Sequence, residues 1–202
     1  MPKLLPLDEL NNLETYLRIS IAAALAVGKR PRREDIIDEM LDLYLLAYVN
    51  GMEDAKEMLR FDGEEWQRAE KKMSDPKQMH EVIFREVADK DFIDRVDEYL
   101  SQDLTEDELI FDLLRIADTD SHRIYNESAA GTARASEVRF RKTWHTMMDE
   151  RVRDTHYPLE GVTIDMDDDF YTFDGDFASE PGAFMLPENN INCRCYLQYT
   201  RI

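Results

Sequence analysis

Thr105-Glu106-Asp107-Glu108-Leu109-Ile110-Phe111-Asp112-Leu113-Leu114-Arg115-Ile116-Ala117 opens a stretch that meets no glycine or proline before Gly131. A threonine three residues ahead of a glutamate is the signature of a helix N-terminus whose two side chains satisfy each other's free amides. Leu109, Leu113, Ile116, His122 and Ile124 then keep a helical spacing, which predicts one long helix running past Tyr125. Beyond Gly131, a final helix is expected from about Thr132 through Phe140, Trp144 and Met148, with Trp144 as a core anchor on its apolar face.

Upstream, residues 7–117 are mostly good helix formers. Leu10, Leu13, Leu17, Ile21 and Ala24 mark a first helix, with Gly28 and Pro31 as its stop. A second runs through Ile36, Ile37, Met40, Leu41, Tyr44, Leu45 and Tyr48 and is expected to end near Asn50-Gly51. A third, polar segment covers Asp54 to Met73 and is broken at Gly63. Pro76 opens another, whose rhythm of Val82, Ile83, Val87, Phe92, Ile93, Val96 and Leu100 carries to Ser101.

After Pro158 the composition turns to Gly, Pro, Asp and Asn, and Val162–Ile164, Phe170–Phe173 and Cys195–Thr200 read as short strands. The fold class is therefore mainly α with a small α+β C-terminal module: a helical N-terminal region over residues 1–117, a long connecting helix, and a module over residues 118–202.

A net charge of −19 argues against a general phosphate-binding surface, so any DNA contact is expected to be local and weak. The basic island lies between Ser121 and Arg153, with seven Arg or Lys against four Asp or Glu. It is followed from Asp154 to Glu180 by nine carboxylates and no Lys or Arg, so the two stretches can neutralise each other. The apolar run Ile21–Val27 is too short to span a bilayer, and no secretory leader is evident, which leads us to expect an intracellular, soluble protein.

Four pieces occur in order: Ala117-x-Thr119-x-x-x-Arg123-x-x-Asn126-Glu127; Lys142-x-Trp144; Asp149-x-Arg151-Val152-Arg153-x-x-His156-x-x-Leu159-x-Gly161; and Pro187 with Asn192-Cys193-Arg194-Cys195. Together they resemble the Mu F-like family of phage head morphogenesis, or minor capsid, proteins. The resemblance implies a minor structural protein of a tailed-phage head. Such a protein docks on portal or major capsid protein and assists head assembly, DNA packaging or DNA delivery. It also implies a place in the virion, inside the head or at the portal vertex, after assembly in the host cytoplasm. The alternative is a metal-dependent enzyme or toxin-like effector that reuses the module.

The chain departs from the family at Asp118-Thr119-Asp120, where members often carry Arg-Thr-Glu, and at Arg153-Asp154-Thr155-His156, where some carry Cys-x-x-Cys. It also has Asn190 where some carry a histidine. Those fuller versions look like zinc sites; here His156, Cys193 and Cys195 remain as soft ligands, with Asp154 as a candidate fourth. The competing reading packs Cys195 as a small apolar group, hydrogen-bonds Cys193 and sets His156 on a backbone carbonyl.

Arg123 and Glu127 are spaced to pair on a helix surface. Arg151 and Arg153 suit buried bidentate pairing with the acidic tail, or contact with DNA phosphates. Asp149, Gly161, Asn192 and Arg194 belong to the module's structural set. Asp165-x-Asp167-x-Asp169 mimics the start of a calcium loop but has Phe170 and Asp176 where glycine and a bidentate glutamate are needed. No Gly-rich phosphate loop, Gly-x-Ser-x-Gly or His-Glu-x-x-His occurs, so the protein is expected to act by binding rather than catalysis.

Overall fold

The structure is a computed structural model that describes residues 7–27, 29, 31–87 and 89–202. Its helices are α1 (Leu7–Ala26), α2 (Arg33–Leu59), α3 (Gly63–Met73), α4 (Pro76–Ile83), α5 (Phe92–Ser101), α6 (Glu106–Ala135) and α7 (Pro187–Asn190). Its strands are β1 (Phe140–His145), β2 (Thr163–Asp165), β3 (Phe170–Tyr171), β4 (Phe177–Ala178) and β5 (Tyr196–Arg201). The expected fold class, helical first and mixed at the C-terminal end, is what the chain adopts.

Helix starts follow side-chain chemistry. Asp62, Asp75, Asp91 and Thr105 each accept hydrogen bonds from the first free amides of α3, α4, α5 and α6, and Asp62/Glu65 and Thr105/Glu108 do so reciprocally. The segment from Pro76 to Ser101 is two helices rather than one, because Asp91 caps a fresh start at Phe92. Gly63 likewise begins α3 instead of interrupting a helix. The Gly28 stop and the side chain of Leu10 lie outside the described residues.

Two further glycines do not end helices. α2 passes through Gly51 to Leu59, and α6 passes through Gly131 to Ala135. A Cβ on Gly51 would lie 2.1 Å from Ser128 Oγ and 2.3 Å from the Tyr125 carbonyl oxygen, so the glycine is there to let α2 lie against α6. Flanking this crossing, the Tyr125 hydroxyl donates to Asp54 (2.6 Å) and the Tyr44 hydroxyl to Asp120 (3.3 Å). At Gly131 the neighbour is the flexible end of Met73.

The first half of α6 joins α1, α2, α4 and α5 around one core that includes Leu17, Ile21, Met40, Tyr44, Phe92 and Leu113. The stripes Leu13, Leu17, Ile21 and Ile36, Met40, Tyr44, Tyr48 are consumed there, so they are not free faces for a partner. The second half contributes Ala129, Ala130 and Ala133 to a second core with Phe140, Trp144, Phe170, Phe184 and Leu197. The boundary at residues 117 and 118 therefore falls inside a helix that both cores share.

The expected helix from Thr132 to Met148 is corrected: Phe140–His145 is the central strand of an antiparallel sheet ordered β2-β1-β5. Phe140, Lys142 and Trp144 alternate inward, and Trp144 stands opposite Leu197. β3 and β4 form a separate two-stranded ribbon. Among the described residues, no helix is long and apolar enough to cross a membrane.

Gly51→Ala should destabilise the protein by about 1–3 kcal/mol, the scale of overpacking a tight contact. An exposed helical glycine would give the opposite sign, since alanine is the better helix former. Urea denaturation of the two proteins decides between them.

Candidate functional site

One face of α6 carries the module. Thr119, Arg123 and Asn126 sit at helical spacing, and each grips a different part of the tail. The Asn192 amide donates to Thr119 Oγ1 (3.1 Å), Gly182 packs against the Cα, Cβ and Cγ of Arg123, and Asn126 Nδ2 donates to the Cys195 carbonyl (3.1 Å). Arg123 is buried, not on the surface as its spacing suggested. Its guanidinium donates to the Val82 and Ile83 carbonyls at 2.7 and 3.2 Å as well as to Glu127 (3.1 Å). Those carbonyls close α4, so one side chain satisfies a helix C-terminus and locks two layers together.

Above this face, the Trp144 amide donates to the Val162 carbonyl and the Gly161 amide to the Trp144 carbonyl, both at 2.9 Å. Gly161 takes φ +74°, which a glycine adopts without strain. The fully buried Trp144 ring makes edge contact with Phe170 (5.0 Å) and His156 (5.7 Å), and His156 stacks on Phe184 (5.1 Å). His156 Nδ1 then faces both thiols, 3.6 Å from Cys193 Sγ and 3.5 Å from Cys195 Sγ. Trp144, His156 and the two cysteines thus meet in one place. All three donor residues are buried, and their ligand atoms lie within 4.8 Å of one another.

This donor set offers three of the four ligands that a tetrahedral zinc site takes. With Zn–N of about 2.0 Å and Zn–S of about 2.3 Å, a tetrahedral site has N···S edges of about 3.5 Å. His156 Nε2 is buried without a hydrogen-bond partner among the described residues, and the ring is held by its aromatic neighbours and by the sulfurs. The alternative in which His156 holds a backbone carbonyl is not what the geometry gives. Hydrogen bonds from Cys195 and His156 pull the Cys193 thiol well below the ordinary range despite its burial, while the same Cys193 contact and desolvation push Cys195 up. Asp154 is exposed and outside the cluster, so it does not supply a fourth ligand.

A second knot is Asp176, which in the sequence stands out only as the mismatched end of a calcium-loop pattern. Its carboxylate accepts from the amides of Phe177 (2.8 Å), Met185 (3.0 Å) and Leu186 (3.1 Å) and from Asn189 Nδ2 (3.0 Å). Burial alone would raise this carboxyl, but the donors on Asn189, Leu186, Phe177 and Met185 outweigh it and hold it below the usual range.

The basic island and acidic tail meet at only part of their residues. Arg134 pairs with Glu180 (2.8 Å) and Arg141 with Asp165 (3.1 Å), while buried Lys142 donates to the Ser179 carbonyl (2.9 Å). Arg151 and Arg153 do not make the expected buried carboxylate pairs. Arg151 is exposed, and Arg153 donates to the Ile191 carbonyl. Arg194 pairs with Asp149 (2.7 Å). Asp165, Asp167 and Asp168 are exposed.

A long helix bearing a three-stranded sheet, with a thiol and imidazole cluster sealed beneath it, defines a compact α+β module grafted on a helical base. Residues 62–198, more than half of the chain, match the family described as Phage Mu protein F like protein, and the chain belongs to that family. It is 33% identical over 85 residues to the minor head protein GP7 of Bacillus phage SPP1, covering 41% of this chain and 28% of that protein. It is also 32% identical over 85 residues to the NAD(+)–arginine ADP-ribosyltransferase EFV of Enterococcus faecalis, covering 41% of this chain and 17% of that protein. The chain thus spans less than a third of either relative. No solved structure matches it.

Two outcomes follow from this packing. Trp144→Ala should cost about 3–5 kcal/mol, the scale for truncating a buried large aromatic, as measured by chemical denaturation. Asp176→Asn, which sets a donor amide among donors, should cost about 2–3 kcal/mol. Because the folded carboxyl sits below its unfolded value of about 3.9, its stabilisation is full above that pH and disappears as pH falls through the folded value. The Asn variant should therefore lose stability on acidification less steeply than the parent protein.

Proposed function

We propose that this protein is a minor structural component of a tailed-phage head, docking on portal or major capsid protein and assisting head assembly, DNA packaging or DNA delivery. The observation that carries this reading is the family match over residues 62–198, and the resemblance to a minor head protein supports it. Docking needs a rigid apolar face, and the β3–β4 ribbon offers one. Tyr171, Phe173, Phe177, Met185 and Leu186 are all exposed, while Asp176 ties the amides of Phe177, Met185 and Leu186 to one carboxylate. Phe173→Asp should abolish co-purification with portal or capsid protein without unfolding the chain. Infectious heads at unchanged yield after deletion of the gene, with no association in pull-downs, would overturn the proposal.

A second reading, an effector that carries this module, is favoured by the match to the ADP-ribosyltransferase, though that match takes in only 17% of that protein. NAD+ consumption by the purified protein, lost in His156→Ala, would select it.

We further propose that His156, Cys193 and Cys195 hold a structural zinc ion that ties the turn after β1 to the segment entering β5. The support is the N···S separations of 3.5 and 3.6 Å in a buried, soft donor set. Zinc should co-purify at one ion per chain and raise the melting temperature, and Cys193→Ser should lose both. Protein that retains no zinc and melts identically with and without it would count against the site.

A further inference from the structure

Directly over the thiol and imidazole cluster, the surface changes sign. Arg151 and Arg153, from the turn after β1, and Arg194, from the tail, line one cleft of about 420 Å3 together with Asp118 and Asn192. A smaller recess lined by the same three arginines and by Asn192 leads to His156 and Cys195. In a chain of net charge −19, three guanidinium groups converging on one opening is the opposite of what the bulk composition would place there.

The partners of these arginines leave donors free. Arg153 is held by the Ile191 carbonyl, which positions its guanidinium without neutralising it. Arg194 is steadied by a single oxygen of Asp149, and the same oxygen accepts the Arg151 amide at 3.1 Å, which ties the two segments together. Arg151 makes no ion pair among the described residues. The one carboxylate lining the cleft among the described residues, Asp118, is engaged by His122 at 3.3 Å. Asn192 stands at φ +57°, fixed by the hydrogen bond that its backbone amide donates to Thr119 Oγ1. None of the nine carboxylates of residues 154–180, which are close in sequence and so present at high effective concentration, lines the cleft.

We propose that this cleft binds the phosphate group of a phosphate ester. Guanidinium forks match phosphate oxygens bidentately, and a tetrahedral anion with several acceptor oxygens can use three of them where a single carboxylate cannot. The cleft volume is that of a small-molecule site, room for a nucleotide unit rather than a bare ion. Both a free nucleotide and the backbone of a nucleic acid present this chemistry. The inference stands apart from the docking role, which uses the ribbon.

The test is calorimetric titration of the full chain with inorganic phosphate, with a mononucleotide and with a short DNA duplex, each at low and at physiological salt. Arg151→Gln removes an exposed side chain and leaves the fold intact; Arg139→Gln, an exposed basic residue not among the cleft's lining residues, removes the same charge. Arg151→Gln should weaken binding of the phosphate ester about tenfold, the loss of one charged hydrogen-bonding group, and Arg139→Gln by less than about twofold. Mononucleotide binding with this pattern identifies a free nucleotide as ligand, and duplex binding with this pattern identifies a nucleic acid backbone. Equal effects of the two variants, no binding of any phosphate probe, or tighter binding of an aspartate-rich peptide would overturn the proposal.

Discussion

The close passage of α2 over α6 at Gly51 is the constraint on which the rest depends. Helices with ordinary side chains at their contact pack with axes about 8–10 Å apart. Here one residue without a side chain sits where a Cβ would meet the backbone of the other helix. That approach puts Tyr44 within reach of Asp120 and Tyr125 within reach of Asp54, so the buried polar groups of the interface find partners. With α6 fixed against α2 and the rotation of its face set, Thr119, Arg123 and Asn126 point together toward the tail. The module is therefore oriented by the helical base.

The helical base was legible because its signals are local. Aspartate and threonine caps, proline at a first turn and apolar spacing all act within a few residues of the position they determine. What failed was local evidence with a distant cause. Gly51 and Gly131 read as breakers because a glycine that serves close packing looks the same as one that ends a helix. Phe140, Trp144 and Met148 recur every four residues, an interval that satisfies the period of a strand as well as that of a helix. The deciding partner, β5, begins at Tyr196, more than fifty residues on. Among the site residues, the pairing of His156 with the two cysteines was legible from ligand chemistry and family resemblance. The burial of Arg123 and the missing carboxylates of Arg151 and Arg153 depend on neighbours that only the fold supplies.

Several cations in this protein bind backbone carbonyls, some of them in addition to a carboxylate. Arg68 reaches the Ser136 carbonyl, Arg85 that of Gly182, Arg123 those of Val82 and Ile83, Lys142 that of Ser179 and Arg153 that of Ile191. Each of these oxygens lies at a helix end or in a loop where no strand or helix would satisfy it. Long basic side chains, crossing from one layer to another, thus perform the work that secondary structure does elsewhere. This is how a region rich in irregular backbone holds one conformation beside so many acidic groups. Surface ion pairs such as Lys90–Glu98 add little to stability by comparison.

The strand order has a temporal meaning. β1 lies in the middle of its sheet, but the strand that covers one of its edges is β5, and the two cysteines immediately precede β5. While a ribosome is still extending the chain, Trp144 and the inner face of β1 have no lid, and His156 has no sulfur to face. The helical base can collapse early on its own contacts, whereas the sheet must wait for residues 193–201 to emerge. Strand pairing with β1, the Arg201–Glu65 clasp and the thiol cluster all draw on these last residues, so none of them can form before that segment is made. A nascent chain stalled before Cys193 would expose an apolar groove and an unpaired edge, a form that quality-control machinery can tell from the finished one.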